Sequence, residues 1–171
     1  MQRVAIVGPG GAGKSTLAVE LGRRTGLPVL HLDRLHWKPG WVETPRDEWI
    51  EVQRAAIQGD RWIVDGNYGG TFDVRFERAD TILVLAPPGW RCVLRAFKRS
   101  ARNRGRAVQA EGCPERFDLG FYRWIWRYSV DSRPRLDEAI DAVRPTATVI
   151  ELGSFKAIAD FLAHVVAEPS P

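Results

Sequence analysis

Short apolar runs that stop at glycine or aspartate alternate along this chain with stretches whose apolar residues recur every three to four positions. Val4-Ala5-Ile6-Val7 is unbroken and ends at Gly8, the pattern of a strand buried on both faces of a parallel sheet. From Lys14 to Arg24, residues Leu17, Ala18 and Leu21 share one side of a predicted helix that Gly26 ends. Val29–Leu32 reads as a second strand ending at Asp33. A loop with Trp37, Pro39, Gly40 and Trp41 follows, and Thr44 is placed to cap a helix running to about Gln58. Pro45 suits its first turn, and Asp47 and Glu48 its positive end.

Trp62-Ile63-Val64, ending at Asp65-Gly66, is a third predicted strand, and Thr81–Ala86 a fourth. A long basic helix then runs to about Arg104, followed by an aperiodic loop over 105–118. A helix from near Phe117 to about Tyr128, a short helix over Pro134–Val143, a fifth strand over Ala147–Leu152 and an amphipathic helix over Phe155–Val166 complete the reading. Strands alternating with helices predict an α/β protein whose parallel sheet is covered on both faces. With no repeat and no linker, residues 1–171 are expected to form one domain.

Composition narrows the class. A chain of 171 residues, 44% hydrophobic and 27% charged, is ordinary for a soluble globular domain. No apolar run approaches the roughly 20 residues of a membrane span, and the first one is too short for a secretory signal. A cytoplasmic protein is therefore expected. Cys92 and Cys113 have no metal-ligand spacing and read as packing residues in a reducing compartment. The net charge of +4 is unevenly placed: Thr81–Ala110 has no Asp or Glu but carries Arg91, Arg95, Lys98, Arg99, Arg102, Arg104 and Arg106. Such a block implies an anionic partner, either polyphosphate or nucleic acid.

Gly8-Pro9-Gly10-Gly11-Ala12-Gly13-Lys14-Ser15 fits the Gly-x4-Gly-Lys-Ser/Thr pattern at every fixed position, between a predicted strand and a predicted helix. Glycines let backbone N–H groups turn inward around phosphates, and the helix start adds positive dipole. Lys14 supplies a mobile charge for the outer phosphates, Ser15 a hydroxyl for magnesium, and Thr16 continues the loop into the helix. No Asn-Lys-x-Asp segment is present to read guanine, so ATP is the expected nucleotide. The transporter-type Leu-Ser-Gly-Gly signature is also absent.

Asp33 and Asp65 each follow a strand, and the carboxyl ends of strands in a doubly wound sheet face the ligand. Either is placed to reach magnesium or an acceptor hydroxyl; the alternatives are a helix or loop cap for Asp33 and an Asx-turn with Gly66 for Asp65. Arg95 and Arg99, four apart, share a helix face that Arg102 and Arg106 continue. The loop after Gly105 is placed as an arginine-bearing lid over the transferring phosphate, against the alternatives of a solvated face or a DNA footprint. Trp37 and Trp41 either stack on a ring-bearing acceptor or staple their loop to the core. His31 reads as a strand core residue, His36 as a loop residue within reach of an acceptor, and His164 as exposed; no role is assigned to any of them. Trp49 and Trp62 read as core.

Several segments carry a resemblance: Gly8–Thr16, His31-Leu32-Asp33 with Trp37-Lys38-Pro39-Gly40-Trp41, Trp62–Tyr68, Glu111–Asp118, and Trp124-Ile125-Trp126 with Ser132-Arg133-Pro134. In this order the chain resembles the adenylate-kinase-related P-loop family labelled DNA topology modulation protein. The resemblance implies the nucleotide-kinase fold, a five-stranded parallel sheet in order 2-3-1-4-5 with a lid at about 103–127. It implies a kinase using ATP and Mg2+. Lys14, Asp33, Arg99 and Arg133 would be catalytic, Ser15 and Asp65 metal-binding, and Gly8–Thr16 with Arg95 nucleotide-binding. Asp33, Trp37, Asp65, Asn67 and Tyr68 would face the acceptor. Asn67-Tyr68-Gly69 stands where adenylate kinases carry the Pro-Arg whose arginine grips a monophosphate. The other open class is an ATP-dependent regulatory or DNA-associated protein; no membrane partner is expected, and the oligomeric state is open.

Overall fold

A computed structural model describes residues 1–165. Five strands form one parallel sheet: β1 (Arg3–Val7), β2 (Val29–His31), β5 (Trp62–Asp65), β6 (Thr81–Leu85) and β7 (Thr148–Leu152), in spatial order β2-β5-β1-β6-β7. Two further strands, β3 (Trp37–Lys38) and β4 (Val42–Glu43), pair antiparallel in a hairpin of their own. With the hairpin set aside, the order is the expected 2-3-1-4-5.

Alternation along β1 splits the interior into two cores. Ala5 and Val7 join Val64, Ile82 and Val84 on the face covered by α3 (Arg46–Ala56), α4 (Phe72–Phe76) and α7 (Arg133–Val143). Val4 and Ile6 join Ile63, Leu83 and Leu85 on the face covered by α1 (Lys14–Thr25), α5 (Gly89–Arg102), α6 (Leu119–Asp131) and α8 (Phe155–His164). Trp49 and Trp62 are both core residues, as read from the sequence. The predicted extension of α8 to Val166 lies outside the described residues, as does the end of the expected domain, 166–171. Among the described residues no helix is long and apolar enough to cross a membrane.

Several elements differ from expectation. The second strand stops at His31, and Leu32–His36 forms a one-turn helix, α2, so Asp33 sits on a helical turn rather than at a strand end. Thr44 does not cap α3: its hydroxyl donates to the His36 carbonyl at 2.6 Å, and Pro45 occupies the N-cap without a side-chain bond. The helix itself ends at Ala56 instead of Gln58. A 3₁₀ turn over Gly69–Thr71 and α4 were not anticipated. The later helix begins at Leu119, where the Asp118 carboxylate accepts from the Phe121 N–H.

The segment after α5 is anchored rather than free. An isolated bridge joins Arg104 to Glu115. Its tip meets the hairpin: Gly40 N–H donates to the Gly112 carbonyl at 2.9 Å, and the Trp41 indole to the Pro114 carbonyl at 2.9 Å. The Cys113 thiol lies 3.2 Å from the Lys38 carbonyl, and the Arg116 guanidinium stands 5.8 Å from the centre of the Trp41 ring.

Candidate functional site

Parallel register aligns the carboxyl ends of three strands. Ile6 of β1 and His31 of β2 both sit beside Asp65 of β5, and the glycine loop leaves β1 at Gly8. Glycine is required there by contact as well as by torsion. A Cβ on Gly8 (φ +140°) would lie 2.4 Å from the Leu85 carbonyl oxygen, and one on Gly11 (φ +75°) 2.2 Å from that of Cys92. Both neighbours are backbone atoms that cannot swing away. The loop therefore turns tightly against β6 and α5 and delivers the chain into α1, whose N-cap, Gly13, offers no side-chain acceptor. The first N–H groups of that helix are free to meet an anion.

Lys14 curls back over the loop, its ammonium donating to the carbonyls of Gly8 at 3.0 Å and Pro9 at 2.9 Å. Burial holds its pKa below the ordinary 10.5, with Asp33 and Asp65 opposing the shift. Both aspartates thus act on the same ammonium, as their placement in one cleft requires.

That cleft has a volume of about 1520 Å³, larger than the roughly 300–1,000 Å³ of a one-ligand pocket. The loop glycines 10, 11 and 13 line one end with Lys14, Ser15 and Thr16; Asp33, Trp37, Asp65, Asn67 and Tyr68 line the other parts, and Arg95 and Arg99 border it from α5. Gly8 and Ala12 are not on its surface; Ala12 is fully buried and serves the loop's packing.

Two hydrogen-bonded acids face this space. Asp65, 4% exposed, accepts from the Ser15 hydroxyl at 2.6 Å through Oδ2, while its Oδ1 lies 2.6 Å from His31 Nδ1. Asp33 accepts from the Tyr68 hydroxyl at 2.7 Å through Oδ1, which leaves Oδ2 for another donor. Burial, and then the Asp33 charge, push the Tyr68 phenol far above its ordinary pKa, so it remains a donor. Tyr68 adopts a left-handed backbone conformation, φ +34°. Its neighbour Asn67 accepts from the Tyr128 hydroxyl at 2.8 Å.

Behind this loop stands Arg75, 1% exposed. It donates to the Asn67 carbonyl at 2.8 Å and to Gln53 Oε1 at 2.6 Å. With no carboxylate paired to it, burial lowers its pKa from 12.5 to about 10. It ties α3 and α4 to the loop that follows the Asp65 strand.

The arginines divide. Arg95 donates to the Gly11 carbonyl at 3.2 Å and lies 4.5 Å over the Phe155 ring. Arg99 Nε is 3.1 Å from Glu115 Oε1, an ion pair without hydrogen-bond alignment. Arg133 is not in the cleft. It forms a forked pair with Glu151 at 2.8 and 3.1 Å and bonds Asp137 at 2.6 Å; Arg135, two residues on, lines the cleft instead. His36 is also removed from the acceptor position, buried among Trp37, Trp49 and Tyr68. His31, read as core, proves to be a cleft residue; the sequence held no signal for it, since only the register of β2 on β5 sets it beside Asp65. Both cysteines are free and buried, and His164 is exposed.

Residues 1–40 match the family model described as isopentenyl transferase. No curated protein matches the chain. Among solved structures it is similar to a candidate kinase from Chloroflexus aurantiacus, with 15% identity over 94% of each chain and a TM-score of 0.54. It is similar to a sugar kinase from a Janibacter species, with 15% identity over 95% of this chain and 93% of that one and a TM-score of 0.53. It is also similar to shikimate kinase from Acinetobacter baumannii, with 16% identity over 95% and 89% and a TM-score of 0.55. At such identities the likeness establishes the fold, the α/β architecture of P-loop kinases, over nearly the whole chain.

Proposed function

We propose that this protein is a P-loop kinase that transfers the γ-phosphoryl group of ATP to a small hydroxyl-bearing acceptor, of the adenylate-kinase-related kind that its sequence resembles. One observation carries the reading: Asp33, with one carboxylate oxygen engaged by Tyr68 and the other free, shares a cleft with a glycine loop, a half-buried lysine and an uncapped helix start.

Phosphoryl transfer asks the protein mainly to position groups and to meet charge. Backbone N–H groups of the loop glycines 10, 11 and 13 and of residues 14–16, with the Lys14 ammonium, hold the polyphosphate. The acceptor O–H donates to Asp33 Oδ2; its oxygen bonds to the γ-phosphorus as the bridging P–O bond to ADP breaks, and the proton passes to Asp33. The Ser15 hydroxyl and the Asp65 carboxylate, both hard oxygen donors, fit Mg2+, which when bound supplies charge neutralisation on the β- and γ-oxygens. His31 fixes one oxygen of Asp65, so the other keeps a single orientation. Arg99 stands ready to exchange Glu115 for phosphate oxygens. Arg133 is left a structural role.

The α5 arginines 95, 99 and 102 line the cleft, which favours service to a nucleotide over a DNA footprint. The isopentenyl-transferase match over residues 1–40 favours a second reading, prenyl transfer from a diphosphate on the same loop. An ATP-consumption screen over nucleosides, nucleotides and small metabolites, in the presence of Mg2+, separates the two. ADP formation dependent on one acceptor supports the kinase; release of diphosphate from a prenyl donor without ATP turnover would refute it.

A further inference from the structure

We propose that the acceptor is an anion, a hydroxyl compound carrying a phosphate or carboxylate group, and that Arg34 and Arg135 form the subsite that grips it. The inference rests on the kinase reading and names the substrate class for it.

The carboxylates at the acceptor end already have partners. Asp33 is held by Tyr68, and Asp131 takes a forked pair from Arg127 at 2.6 and 2.8 Å. The arginines there do not. Arg34 and Arg135 both line the cleft, both are exposed to it, and neither makes a hydrogen bond or ion pair among the described residues. This contrasts with the eight other arginines that are ion-paired.

Their positions are specific. Arg34 follows Asp33 on the single turn of α2. Arg135 reaches the cleft at Gly69, where its Cδ would lie 3.8 Å from a Cβ on that glycine, next in sequence to the tyrosine that bonds Asp33. Gly69 and Gly70 leave that stretch of wall without side chains, so nothing covers the guanidinium. Two uncompensated guanidinium groups therefore share the cleft with the proposed base, on elements separate from the α5 arginines. Guanidinium forks match carboxylate and phosphate geometry and favour them over neutral groups. The acceptor's hydroxyl would meet Asp33 and its anionic group would lie between α2 and α7. Trp37 and Trp41 line the same cleft, which makes aromatic compounds suitable probes.

The test loads the P-loop first, with saturating Mg2+ and a non-hydrolysable ATP analogue, and then titrates phenyl phosphate, benzoate and benzyl alcohol by calorimetry. Phenyl phosphate or benzoate should bind at least about tenfold tighter than benzyl alcohol, as expected for a charge-assisted contact. Arg135→Gln, an exposed position that does not threaten folding, should abolish that preference, and Arg34→Gln should weaken it, with analogue affinity unchanged in both. Preference for phenyl phosphate identifies a phosphate monoester class, and preference for benzoate a carboxylic acid class. Anionic probes binding no better than benzyl alcohol, or an Arg135→Gln protein that keeps the preference, would overturn the inference. Failure of the kinase reading shows separately, as no analogue binding in the first titration.

Discussion

Replacing Arg75 by methionine tests whether a buried cation holds the acceptor loop. The change removes two short charge-assisted bonds, at 2.6 Å to Gln53 and 2.8 Å to the Asn67 carbonyl. At about 1.5–3 kcal/mol for a bond to a charged group, the loss is roughly 3–6 kcal/mol. Against it stands the relief of burying the charge. The fall in pKa from 12.5 to about 10, at about 1.4 kcal/mol per tenfold, returns roughly 3 kcal/mol. The net expectation is a loss of about 1.5 kcal/mol, or about 3–6 °C in Tm for a chain of this size. Urea and thermal denaturation measure it directly. Adding Gln53→Leu should recover part of the loss, because the orphaned Oε1 is removed with its partner. Turnover should fall more than the fraction folded does, since Asn67 and Tyr68 lose their anchor. An Arg75→Met protein as stable as wild type, with unchanged turnover, would refute the reasoning.

Lys14→Ala should abolish thermal stabilisation by ATP, and wild type should bind ATP more tightly than GTP; persistence of the shift in the mutant, or equal affinities, would count against the nucleotide site. Asp33→Asn should keep ATP affinity within a few-fold and lower turnover by about 10²–10⁴, while the amide oxygen still accepts from Tyr68; a variant that loses stability but keeps turnover would make Asp33 a cap. Duplex DNA binding should be weak and collapse with salt, and sub-micromolar binding at physiological salt would favour the regulatory class. Asp80 should contribute a pH-dependent share of stability. Burial pulls its pKa up, but bonds from Thr81 and from the N–H groups of Arg3 and Gln2 outweigh this and hold it below 3.8. A carboxyl depressed by folding stabilises fully above its unfolded pKa and loses the contribution as pH falls through the folded one. The stability gap between wild type and Asp80→Asn should therefore stay constant down to about pH 5 and close in more acidic solution; a gap unchanged through that range would exclude it.

The strands were legible as short, mainly apolar runs and the long helices by a periodic face, whereas the strand order came from the family resemblance, since pattern alone does not show which strands are neighbours. Elements of two to five residues, such as α2, the hairpin and α4, are too short for periodicity to register, and they came out as loop. The same limit explains Asp33: its residue type and neighbourhood were readable, its helical turn was not. His31 looked like a core strand residue because sequence does not show pairing, and only the register with β5 puts it against Asp65. Arg133 and Arg135 are two residues apart on a helix of about 3.6 residues per turn, so they point to nearly opposite sides. Deciding which faces the cleft required knowing where β7 presents Glu151. Arg75 gave no signal at all, since a buried arginine in the sequence looks like any surface one.

The contacts between the hairpin and the segment after α5 set a tempo as well as a shape. Pro39 and Gly112 touch so closely that a Cβ on Gly112 would lie 2.7 Å from Pro39 Cβ. The backbone bond from Gly40, the Trp41 indole and the Cys113 thiol complete the seam. On the proposed kinase reading, a ligand passing under this bridge would wait for it to part, on the microsecond-to-millisecond scale of such motions, and the frequency of parting would then cap turnover. Cys113, shielded while the seam is shut, meets a thiol reagent only in the intervals when it is open, and the chain thus carries its own clock for that event.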